Sequence, residues 1–66
     1  MCLSKVYLKD IASENIIVEE ASKVLDNNGT IEVYSIFGDV EKRENYYIKE
    51  VDLEDNYIIL GRKDDQ

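Results

Sequence analysis

Turn-forming residues punctuate this chain so often that little room remains for helix. "DIASEN" (Asp10–Asn15), "DNNG" (Asp26–Gly29), Gly38-Asp39, "REN" (Arg43–Asn45) and "DLEDN" (Asp52–Asn56) each break the pattern. Asn, Asp and Gly tolerate positive φ or bond to their own backbone, so such clusters turn the chain. Between them lie short runs rich in β-branched and aromatic residues, which suit strands. Five or six short strands at this spacing predict an all-β fold, a small barrel or sandwich in one domain over residues 1–66. A barrel is the favoured form because it limits exposed strand edges.

The first run, Met1–Lys9, alternates. Val6 and Leu8 form its expected buried pair, with lysines opposite. Asn15–Glu19 reads as a second, short strand. Glu19–Asn27 is ambiguous: Ala21, Val24 and Leu25 recur at helical spacing, but an isolated helix this short is weak. The turn at Asp26–Gly29 favours a hairpin instead, with Lys23–Asp26 as its first arm. Thr30–Phe37 follows, with Ile31, Val33 and Phe37 expected on one face. Val40–Arg43 is polar and reads as an edge strand. Tyr46–Val51 and Tyr57–Leu60 complete the set, the last expected to be buried on both faces. The tail from Arg62 is expected to fray.

A domain of 66 residues buries only roughly 60% of the surface it exposes when unfolded. Domains of this size commonly add disulfides, a metal or a partner copy. The sequence holds one cysteine and no histidine. No intramolecular disulfide is possible, which leaves a homodimer or a shared metal as the expected support.

Most catalytic chemistry is excluded by composition. Without histidine there is no Ser-His-Asp triad, Cys-His pair or histidine metal site. The three glycines stand apart, so no phosphate loop is present. No carboxylate spacing marks an acid/base pair, and the chain is read as a non-enzyme. The net charge of −7 opposes nucleic acid and acidic membrane surfaces, since phosphate neutralisation drives nucleic-acid affinity. The six aromatics, Tyr7, Tyr34, Phe37, Tyr46, Tyr47 and Tyr57, are first read as core or interface residues. A stacking platform for RNA, or a surface for a protein partner, is the alternative function. No apolar run is long enough to span a bilayer. "MCLSKVYLKD" lacks the basic region and long apolar stretch of an export signal, so a reducing cytoplasm is the expected compartment.

Cys2 is where the sequence points to chemistry. As a small hydrophobe sharing a face with Val6 and Leu8 it could simply pack. It is also the chain's one thiol, beside Met1 at the N-terminus. If Met1 is removed, the amine and thiolate of Cys2 close one five-membered chelate ring. If Met1 stays, its amine, the Cys2 amide nitrogen and the thiolate close two. Two such termini across a two-fold axis would make a mixed nitrogen–sulfur site. Square-planar nitrogen coordination suits Ni(II) or Cu(II), and thiolates also hold Cu(I) and Zn. Such a site is shallow and open to exchange, which suits passing a metal on.

The start "MC", the strand "KVYL" (Lys5–Leu8), "GTIEVYSIFGDV" (Gly29–Val40) and "IKEVDLEDNYIIL" (Ile48–Leu60) together resemble the CooT family of small bacterial and archaeal proteins. The resemblance implies an SH3- or Sm-like β-barrel, a homodimer and a part in nickel delivery for carbon monoxide dehydrogenase maturation. It assigns nickel to Cys2 and implies a nickel-enzyme maturation client; the paired termini read above, Met1 beside Cys2 in each, lead to an expectation of one Ni(II) per dimer. The family has also carried a predicted RNA-binding label.

Overall fold

A computed structural model describes residues 3–9 and 11–65. Six strands form: β1 (Ser4–Leu8), β2 (Ile16–Asn27), β3 (Thr30–Ser35), β4 (Val40–Glu44), β5 (Tyr46–Asp52) and β6 (Tyr57–Arg62). Single 3-10 turns occupy Ser13–Asn15 and Lys63–Asp65. All six belong to one sheet, in the order β4-β3-β2-β1-β6-β5. Neighbours are antiparallel except β1 and β6, which run parallel from Lys5↔Tyr57 to Leu8↔Leu60.

The expected all-β architecture is present, but the sheet is open. β4 and β5 are its two edges, and no ladder joins them among the described residues. They are nonetheless consecutive in the chain, linked by Asn45 alone. One residue cannot cross the width of a flat six-stranded sheet, so the sheet must curl until its edges meet. The meeting point is a knot of backbone bonds. The Gly29 carbonyl accepts the N–H groups of Asn45 (2.9 Å) and Tyr46 (3.2 Å), and the Asn45 carbonyl accepts that of Lys63 (2.8 Å). Asn45 sits at φ 65°, a conformation that Asn tolerates better than most residues. The tail expected to fray is thus held through Lys63.

The concave face carries the core: Val6, Val18, Ala21, Ile31, Val33 and Leu60, with Leu8, Ile17, Val24, Tyr46 and Ile58 packed against it. Of the expected pair on β1, Val6 is fully buried and Leu8 half-buried. On β6, Ile59 and Leu60 are both buried while Tyr57 and Ile58 are half-buried, so burial on both faces holds for the strand's centre only.

The ambiguous Glu19–Asn27 is strand, continuous with the run before it. Its helical spacing has a sheet cause. The register slips between Ser4↔Ala21 and Val6↔Val18, and again between Ala21↔Ser35 and Lys23↔Tyr34. Each slip adds a residue to β2 and shifts its alternation. Val18, Ala21 and Val24 therefore reach the core at intervals of three. The hairpin that follows turns through Asn28 (φ 53°) and Gly29 (φ 94°), both positive as a tight two-residue turn requires.

Phe37 departs from its expected inward face. β3 ends at Ser35, whose hydroxyl accepts the N–H groups of Phe37 (3.1 Å) and Asp39 (3.2 Å). That turn, completed by Gly38 at φ 92°, ends the strand alternation before position 37. Phe37 is 71% exposed.

Candidate functional site

Met1 and Cys2, the expected metal ligands, lie outside the described residues. The structure begins at half-buried Leu3 and enters β1 at Ser4. β1 is an interior strand, held by β2 on one side and β6 on the other. The Lys5 N–H also donates to the Asn56 carbonyl at 3.1 Å. A small cleft of about 140 Å³ opens beside this end, lined by Ser4, Ala21, Ser22, Lys23, Val24 and Ile58. Among the described residues, no three histidine, cysteine or carboxylate side chains converge to hold a metal ion.

None of the six aromatics is buried. Tyr46 packs on the core. Tyr47 lies across Gly61, where a Cβ would fall 2.5 Å from the ring Cζ. Tyr7 and Tyr57 meet edge to face at 6.4 Å, and the Tyr57 hydroxyl donates to Glu50 Oε2 at 2.8 Å. That bond, with Asp52 nearby, pushes the Tyr57 phenol up to about 12. On β3, the Tyr34 hydroxyl donates to Glu32 Oε1 at 3.0 Å. The bond holds the Glu32 carboxyl below its ordinary value, with help from Asn27, and raises Tyr34. Lys23 Nζ sits 4.8 Å from the Tyr34 ring centroid, a cation–π arrangement.

A feature only faintly marked in the sequence lies toward the other end of β2. A groove of about 320 Å³ runs between Ile17–Glu20 and the turn that carries Phe37, Asp39 and Val40. Its one sequence signal is "IFGD" (Ile36–Asp39), two large apolar residues set directly into a glycine turn.

Comparison with known proteins bears on most of the chain. A family model described as CO dehydrogenase accessory protein CooT matches residues 1–61. The fold is similar to a crystal structure assigned as CooT from Carboxydothermus hydrogenoformans, with a TM-score of 0.71 and 22% identity, covering 92% of this chain and 97% of that one. At that identity the likeness speaks for the fold. No curated protein matches the chain. No helix among the described residues is long and apolar enough to cross a membrane.

Proposed function

Because the chain belongs to the CooT family of CO dehydrogenase accessory proteins, we propose that it binds Ni(II) through Cys2. In this reading Met1 supplies nitrogen, two copies of the chain share the ion, and the metal passes to a nickel enzyme under maturation. The observation that carries the reading is the place of the one thiol: position 2, two residues before an interior strand. A thiolate with amine or amide nitrogens is a donor set that Ni(II) accepts in square-planar form. An interior strand gives that donor set a fixed base, while a site at a terminus leaves ligands free to exchange. The thiol must ionise to bind, so loading releases a proton.

RNA binding draws no support from the aromatic surface. Tyr34 and Tyr57 hold carboxylates at their hydroxyls, which repel the phosphates that drive such binding.

Titrating reduced protein with Ni(II) tests the proposal through thiolate-to-nickel charge-transfer absorbance. Saturation at half an equivalent per chain, lost in Cys2→Ser, is the expected result. Unchanged bands in Cys2→Ser, or two or more ions per chain, would overturn it.

A further inference from the structure

β2 is paired on both edges only along part of its length. Residues 16–21 pair with β1, but β3 joins only from Ala21↔Ser35 onward. One more bond, from the Ile36 N–H to the Glu20 carbonyl at 3.0 Å, marks where β3 leaves. Beyond it, among the described residues, no strand covers the second edge of 16–19. The 320 Å³ groove lies along this uncovered stretch.

Its lining mixes apolar and acidic side chains. Phe37 in the turn and Val40 at the start of β4 line it and are exposed, and Ile17 lines it from β2. Val18, Ser35, Glu19, Glu20, Asp39 and Glu41 complete the lining, and no lysine or arginine joins them. Glu41 pairs with Arg43 at 3.1 Å. The other three make no side-chain ion pair among the described residues. An exposed phenylalanine beside an open strand edge offers main-chain bonds and one apolar pocket, the combination used in strand addition. The surrounding carboxylates select the charge of what enters. A second copy meeting groove to groove would bring like charges together.

We propose that this groove takes an extended segment of a partner protein, with alternating apolar and basic side chains, as an added strand on Ile16–Glu19. An apolar side chain of the segment packs on Phe37 and Val40. Its lysines or arginines face Glu19, Glu20 and Asp39. The proposal does not depend on the metal.

The test uses the full chain, metal-free, and a capped hexapeptide alternating lysine and valine, followed by amide NMR shifts. Saturable binding with shifts confined to Ile17–Glu20 and Phe37–Glu41 is expected. Phe37→Ala should weaken it by at least about tenfold, as loss of an aromatic anchor does. Phe37 is exposed on a turn, so the free variant should keep its amide spectrum. Glu19→Gln with Asp39→Asn should weaken binding and flatten its salt dependence. Three results would each overturn the proposal. The first is equal binding of a glutamate–valine peptide, and the second is indifference to Phe37→Ala. The third is concentration-dependent shifts at Phe37 without peptide, which would make the groove a contact between copies.

Discussion

Gly29 and Asn45 pin the corner at which the edges of the curled sheet approach: the Gly29 carbonyl accepts the Asn45 N–H at 2.9 Å. Gly29 does so from φ 94°, with Lys63 Nζ 2.8 Å from where a Cβ would stand. Alanine there meets both a disfavoured backbone and the lysine. Gly29→Ala should lower unfolding free energy by about 1–3 kcal/mol, seen as a lower urea midpoint. An unchanged midpoint would show that the corner does not constrain the sheet.

Gly61 and Tyr47 form a second close approach. A methyl at 61 would strike the tyrosine ring. Gly61→Ala should cost about 1–3 kcal/mol through overpacking. In a Tyr47→Ala background most of that cost should vanish. Costs that add to within about 0.5 kcal/mol in the double mutant would exclude the contact as the cause.

Core and surface leucines should separate cleanly. Leu60 is fully buried and Leu53 is 84% exposed. Leu60→Ala should cost about 2–5 kcal/mol, and Leu53→Ala should stay within about 0.5 kcal/mol. Comparable losses at both sites in thermal unfolding would contradict the placement of β6 at the centre of the core.

The Tyr57–Glu50 bond predicts a response at high pH. Tyr57 ionises near 12 in the folded chain against an ordinary 10.0, so folding favours the protonated phenol. Its contribution is complete below about pH 10 and fades as pH rises toward 12. Phenolate absorbance should show one tyrosine titrating well above an ordinary phenol, and Glu50→Gln should bring it down. A titration of Tyr57 at its ordinary value would mean the bond does not form in solution.

Much of this was legible in the sequence. Turn residues marked nearly every strand end, because Asn, Asp and Gly act locally and their effect needs no tertiary partner. The alternation of Val6, Ile31 and Val33 located the core for the same reason. β2 was harder, since its bulges give Val18, Ala21 and Val24 the spacing of a helix. A bulge is set by the partner strand, which a one-dimensional pattern does not contain. Phe37 was misread because parity was carried past Ser35, where a side-chain hydroxyl captures the next turn. Curling without closure follows from the pairing order, which no local signal encodes. At the candidate metal site the balance reverses: Cys2 stands out by residue type and position, while the groove beside Phe37 exists only because β3 leaves β2 at Glu20.

The parallel pairing of β1 with β6 has a consequence for how the protein is made. A chain leaving the ribosome presents β1 before β2, and β2 can fold back on it at once. The other flank of β1 stays bare until Tyr57–Arg62 has emerged. Non-local pairing of this kind slows folding. The strand that follows the thiol is thus translated well before its second neighbour and is locked in place only when that neighbour arrives, so whatever requires it fixed is withheld until β6 is made.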